Sequence, residues 1–229
     1  MWAKLWACGQ NRGQVGGKWV KSRCTRRSIK GDNDNMSNVF IGDSVTDCDR
    51  LTIPPYGNGW VNEIVESGKL QNVINVGTSG HRLVDLDARW QRDVLDNKPT
   101  RLTINIGIND TWRRYDDNDS TSVEDFESRY DRLLQTTTTQ FNLDLVLCEP
   151  FLLHVRPEMA TWREDLDLKI AAVHKLAAKF DAKLVKFDEM FTKLAATEGN
   201  AALAEDGIHP TQHGHEEMAK LWISTVLGA

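Results

Sequence analysis

The sequence predicts an α/β fold, a three-layer α/β/α sandwich around a five-stranded parallel sheet. Two observations predict it. From Asn38 onward, short β-rich runs alternate with helical patterns. The β-rich runs are also nearly continuous in apolar residues, as strands covered on both faces require. Right-handed crossovers then distribute the helices over both sides of the sheet.

In chain order, the first strand candidate is Asn38–Ile41, followed by a helical pattern near Trp60–Glu66. Gln71–Val76 reads as the second strand and Arg82–Leu95 as the helix behind it. Arg101–Ile106 and Val123–Thr137 form the next pair, then Leu143–Cys148 and Trp162–Phe180. In that last helix Leu166, Ile170, Val173, Ala177 and Phe180 keep the three-or-four spacing of one buried stripe. Ala182–Phe187 is the fifth strand, and a helix over about His213–Val226 closes the domain. There is no internal repeat. Ahead of all this, residues 1–37 read as a separate piece with five Gly, three Trp, scattered basic residues and no lasting period. The expectation is that they are foreign to a domain starting near Met36. The competing reading is a basic arm for an acidic partner.

The 229 residues suffice for one domain with a continuous core, and 40% hydrophobic against 27% charged residues is a globular balance. Residues 1–35 hold eight Lys/Arg against two Asp, a local +6, so the remainder carries −11 of the net −5. Such an acidic body argues against a nucleic-acid partner. Four cysteines (Cys8, Cys24, Cys48, Cys148) make no disulfide framework in a chain of this size. Cys148, inside LVLCEP, reads as a small buried hydrophobe. No run approaches the roughly 20 apolar residues of a membrane span, and the N-terminus lacks the apolar centre of a secretory signal. A cytoplasmic protein with no membrane partner is the expectation. Self-association into a homo-oligomer stays open.

A parallel sheet gathers its site at the carboxyl ends of its strands, and reactive residues stand there. Behind the first strand comes Gly42-Asp43-Ser44-Val45-Thr46-Asp47. Glycine permits a sharp turn that exposes the Ser44 hydroxyl and aims its N–H at an oxyanion, although Gly-Asp-Ser alone is common in plain turns. Behind the second strand, Gly77-Thr78-Ser79-Gly80-His81 allows close backbone approach and a donor at the Gly80 N–H, or else is a strand-to-helix turn. Ser79 is a rival nucleophile, but it fits no GxSxG elbow. Behind the third, Gly107-Ile108-Asn109-Asp110-Thr111-Trp112 offers the Asn109 amide as a further donor, with Asp110 in the plainer use of a helix cap.

Near the end, Asp206-Gly207-Ile208-His209 sets a carboxylate three residues from an imidazole, so Asp206 can orient His209 as the general base. A metal cluster of His209, His213 and His215 is the alternative. But His213 and His215 at i and i+2 of a helix face different sides, and no HExxH or thiolate grouping is present. His154 and His174 read as surface or half-buried residues. No GxGxxG or GxxxxGK[ST] phosphate cradle appears, and no cofactor or metal is called for.

Taken together, Gly42-Asp43-Ser44, Gly80, Gly107-Ile108-Asn109-Asp110 and Asp206-Gly207-Ile208-His209 resemble the SGNH (GDSL) hydrolase signature, in order, from about Val39 to Leu227. The resemblance implies a flavodoxin-like strand order 2-1-3-4-5. It also implies Ser44 as nucleophile, Asp206 and His209 as its partners, and an oxyanion hole of Ser44 N–H, Gly80 and Asn109. The runs FIGDSVTDCDR, GNGWVNEI, INVGTSGHRLVDLDARWQRDV, INIGINDTWRR and LVLCEPF are similar to a branch of acetylxylan and related carbohydrate acetyl esterases. A serine esterase acting on short-chain esters, O-acetyl groups of sugars above all, follows as the expectation. Asp43, His81 and Trp112 become candidate substrate contacts, Trp112 as a sugar-stacking face or as core. His81 departs from the Asn expected there. The competing functions are a carboxylesterase, lysophospholipase or thioesterase for lipid-like chains, and a carbohydrate-binding module without catalysis.

Overall fold

In the computed structural model, which describes residues 36–229, five parallel strands form one sheet in the order β2-β1-β3-β4-β5. They are β1 (Asn38–Gly42), β2 (Val73–Asn75), β3 (Arg101–Asn105), β4 (Asp144–Cys148) and β5 (Lys183–Val185). Number, direction and order of the strands agree with expectation. The reading of the basic N-terminal piece lies outside the described residues for positions 1–35. Ser37, grouped with that piece, belongs to the sheet end instead. Its carbonyl accepts from the Thr100 and Arg101 N–H groups at 2.9 and 3.1 Å, and its own N–H donates to Thr100 Oγ1.

The helices are α1 (Ser44–Asp47), α2 (Trp60–Glu66), α3 (Leu83–Trp90), α4 (Ile108–Asp116), α5 (Val123–Gln140), α6 (Arg163–Lys179), α7 (Phe187–Glu198), α8 (Asn200–Leu203) and α9 (Gln212–Leu227). A π-helical turn, Gln91–Leu95, extends α3, and a 3₁₀ segment, Pro157–Trp162, leads into α6. Side chains alternate along each strand, so the sheet divides the core in two. Val39, Ile41, Leu102, Ile104, Leu145 and Leu147 point to the face covered by α3, α5 and α6. Phe40, Val73, Val146, Cys148 and Val185 point to the face covered by α2, α7 and α9, where Trp60, Phe187 and Trp222 fill the space. The indole N–H groups stay satisfied where a threonine reaches them: Trp222 Nε1 donates to Thr103 Oγ1 at 3.3 Å and Trp90 Nε1 to Thr137 Oγ1 at 3.0 Å. Cys148 is fully buried, as expected of a small hydrophobe.

Two of the longer helices, α4 and α7, were not foreseen, nor was the single turn α8. In α4 the buried face is Ile108, Asn109, Asp110 and Thr111, mostly polar, so no apolar period betrays the helix. In α7, Phe187 was placed at the end of the fifth strand, yet it starts the helix and is buried with Phe191 four residues on. Burial at helical spacing overrides the local β preference. The edge strands β2 and β5 are each three residues long, shorter than the runs read as strands. Among the described residues no helix is long and apolar enough to cross a membrane.

Candidate active site

Strand register brings the candidate residues together. Gly42 lies opposite Asn105 in the β1–β3 pair, so the segments leaving these strands start side by side at the carboxyl edge. The approach is close: a Cβ on Gly42 would lie 2.3 Å from the Asn105 carbonyl oxygen and 2.5 Å from Thr46 Oγ1. Only glycine fits. Ser44 then opens α1 and Asn109 sits in the first turn of α4, both lining one cleft of about 410 Å³.

The loop from α8 to α9 brings Asp206 and His209 to the cleft from the other end of the chain. Gly207 adopts φ +87°, and a Cβ there would lie 2.3 Å from the Leu153 carbonyl oxygen. The Gly207 carbonyl accepts from the Leu153 N–H at 2.9 Å, and the Thr211 N–H donates to the Leu203 carbonyl at 2.8 Å. Buried Ile208 packs with Leu152, Met159, Trp162 and Leu166 and holds the loop down. His209 emerges with Nε2 at 2.8 Å from Ser44 Oγ and Nδ1 at 2.7 Å from Asp206 Oδ2. Asp206 is acceptor only when ionised, so the proton sits on Nδ1 and Nε2 is free to accept from the serine.

Electrostatics follow from these contacts. Burial works to raise the Asp206 pKa, but hydrogen bonds from the His209 ring and from the His209 and Ile208 N–H groups hold it well below the carboxylate range. The Asp206 bond raises the pKa of His209 above its ordinary value against the effect of burial, with the Asp206 and Asp43 charges adding to it. Burial pushes Asp43 up to about 7, opposed by the Val45 N–H and by His209, and burial lowers His215 to about 4.

Asp43 corrects one expectation. It is 1% exposed, does not line the cleft, and accepts from the Val45 N–H at 3.0 Å as the cap of α1. A substrate cannot reach it. His81 lies outside the cleft wall as well: its ring nitrogen Nδ1 accepts from Arg89 Nε at 3.1 Å and its carbonyl accepts from Asn109 Nδ2 at 3.0 Å. Trp112 does line the cleft, its ring centroid 6.3 Å from that of His209, while its other flank meets Trp162 at 6.0 Å. One half-buried ring thus packs against Trp162 and also lines the cleft. Gly80 lines the cleft with φ +78°. Ser79, the rival nucleophile, also lines the cleft but donates its hydroxyl to Asp47 Oδ2 at 2.7 Å rather than to an imidazole. Asp110 does act as a cap, though for a different helix: its Oδ2 accepts from the Leu83 N–H at 3.0 Å, at the start of α3.

His209 and His215 of the metal alternative line the same cleft, but His213 does not, and the three form no common ligand group among the described residues. His213 bonds to Glu198 at 2.7 Å, and His215, 5% exposed, accepts from the Trp60 N–H and contacts Cys48 Sγ at 3.1 Å. His154 is exposed and His174 half-buried against Glu149. Cys48, its thiol pushed up to about 12 chiefly by burial, lines the cleft with its contact partner His215, and so does Arg113. None of these three was singled out from sequence as a cleft residue.

The family model for GDSL-like lipases and acylhydrolases matches residues 40–217. The chain belongs to the GDSL-like lipase/acylhydrolase family. As a member of it the protein is a carboxylic ester hydrolase. It is 32% identical over 206 residues to an acetylxylan esterase from Geobacillus stearothermophilus, covering 82% of this chain and 92% of that protein. The solved structure of an acetylxylan esterase from the same organism superposes with a TM-score of 0.76 at 29% identity, over 83% of this chain and 94% of that one. Structures described as catalytic mutants of that enzyme are altered at a serine, and at an aspartate and a histidine three positions apart. A protein designated a GDSL-like lipase, from Parabacteroides merdae, matches with a TM-score of 0.77 at 30% identity, over 83% and 97% of the two chains.

Proposed function

We propose that this esterase removes O-acetyl groups from carbohydrates through an acyl-enzyme on Ser44. One observation carries the reading. The Ser44–His209–Asp206 chain, closed at 2.8 and 2.7 Å, opens into a cleft that Gly80 and Asn109 also line. The relatives add support, because an acetylxylan esterase is similar over most of the chain and its catalytic mutants involve the same three residue types.

Ser44 Oγ attacks the ester carbonyl while His209 Nε2 takes its proton, and the C=O electron pair moves onto oxygen. The Ser44 N–H, Gly80 N–H and Asn109 amide stabilise that oxyanion, each donor contributing about 10²–10³ in turnover. Collapse of the tetrahedral centre breaks the C–O bond to the sugar, and His209 returns the proton to the departing alcohol. Water, deprotonated by His209, then attacks the acetyl-serine and releases acetate, restoring Ser44. Asp206 keeps its charge throughout and stabilises the imidazolium. Trp112 offers the sugar an apolar face beside His209.

The test is acetate release from a panel of acetylated xylo-oligosaccharides and monosaccharides by the full chain and by Ser44→Ala. Release by the wild type and none by the variant is the expected result. Hydrolysis of long-chain acyl esters with the acetylated sugars left untouched would overturn the substrate assignment. Sugar binding without any acetate release would overturn the catalytic one.

A further inference from the structure

The three proposed oxyanion donors come from segments behind three different strands, yet one buried guanidinium bonds to the first two segments and is linked to the third through His81. Arg89, on α3, is 8% exposed. Its Nη2 donates to the Gly42 carbonyl at 3.1 Å, two residues before Ser44. Its Nη1 donates to the Val76 carbonyl at 2.6 Å, just past β2, and to Asp93 Oδ2 at 2.6 Å. Its Nε donates to His81 Nδ1 at 3.1 Å. His81 directly follows Gly80, and the His81 carbonyl holds one N–H of the Asn109 amide at 3.0 Å.

We propose that Arg89 is a positioning residue for the oxyanion hole, acting through the Gly42 carbonyl on Ser44 and through His81 on Gly80 and Asn109. The inference rests on the esterase reading above. Its physical basis is the guanidinium itself, a rigid planar fork of five N–H donors with fixed directions. One such group bonded to two carbonyls and a ring nitrogen fixes the distance between the β1 and β2 carboxyl ends. Asn109 depends on the same clamp. Its amide is planar, so pinning one N–H on the His81 carbonyl sets the direction of the second, which is left for the cleft. Asp93 neutralises the buried charge, and Arg92 braces Asp93 from its other side at 2.6 Å. The clamp needs a neutral His81 ring, since Nδ1 must accept. Burial and the neighbouring Arg89 charge both lower that ring's pKa.

Small displacements are costly here. Misplacement of about 1 Å takes about 10² from a rate, whereas ground-state binding of a small ester hardly depends on these donors. The arrangement therefore calls for a loss in kcat with little change in KM. Asparagine at position 81 presents an acceptor oxygen close to where histidine presents Nδ1, and leucine presents none.

The experiment measures kcat, KM and melting temperature on p-nitrophenyl acetate for Arg89→Lys, His81→Leu and His81→Asn, beside Ser44→Ala. Arg89→Lys and His81→Leu are expected to lose about 10- to 100-fold in kcat with KM within about threefold, and His81→Asn to stay within about threefold in both. Wild-type kcat in His81→Leu or in Arg89→Lys overturns the proposal, as does His81→Asn as slow as His81→Leu. The two His81 variants decide the matter should Arg89→Lys fail to fold. Turnover surviving in Ser44→Ala overturns the esterase mechanism itself. An inactive Ser44→Ala beside a fully active His81→Leu overturns the positioning role alone.

Discussion

At the scale of single residues, charge under and beside Ser44 sets how the site responds to pH. Asp43 is a buried carboxyl whose pKa burial pushes from 3.8 to about 7. Protonated, it costs the fold far less than ionised, when it is a charge without solvent. A pKa raised by folding means stability lost as pH climbs from the unfolded value through about 7. Asp43→Asn keeps an acceptor for the Val45 N–H and removes the charge. The variant should gain melting temperature over wild type at pH 8 and much less at pH 5, and an equal difference at both pH values would contradict this account. His209 runs the other way in use. Asp206 raises its pKa above 6.5, and only the neutral ring can take the serine proton. The acid limb of kcat/KM is therefore expected to have its midpoint above 6.5. Asp206→Asn should move that midpoint down and cut kcat by about 10²–10⁴, both visible in one pH–rate series.

Among the elements, connections differ in what they hold. The turn from α8 to α9 carries both Asp206 and His209, and Gly207 lies in it with φ +87° and the Leu153 carbonyl against its α-carbon. Gly207→Ala adds strain of about 1–3 kcal/mol and displaces the turn. It should lower kcat more than tenfold. Ser122 is the contrast: it caps α5 by accepting from the Asp125 N–H at 3.1 Å and does not line the cleft. Ser122→Ala should cost about 0.5–1 kcal/mol in denaturant unfolding and leave kcat unchanged. A matched loss of activity in both variants would mean that the turn has no special part.

For the molecule as a whole, the proposed function makes the cleft the place where acyl length is read. It holds about 410 Å³, lined by Trp112, Arg113, Cys48 and His215 among others. That space must take both the acyl group and the alcohol. Rates on p-nitrophenyl esters are expected to fall steeply from acetate to octanoate to palmitate, and a rising series would point to lipid-like substrates.

Sequence by itself determined a great deal here, because the parallel α/β sheet is a local pattern repeated. Apolar runs and helical spacing specify the layers, and such a sheet delivers whatever follows its strands to one edge. Ser44, Gly80 and Asn109 were legible for that reason, and Asp206 with His209 because three residues on a turn lie within bonding reach. Arg89 left a fainter mark, a basic residue on the buried stripe of Leu83, Leu86 and Trp90 with Asp93 four positions on. What it touches was decided only by tertiary structure. Its partners Gly42, Val76 and His81 come from segments remote in the chain, brought together by strand register. The same holds for Asp43, which adjoins the serine in sequence yet faces the interior, since α1 turns immediately and its cap must point at the Val45 N–H. Contacts across the sheet depend on crossovers and burial that no local stretch of residues encodes.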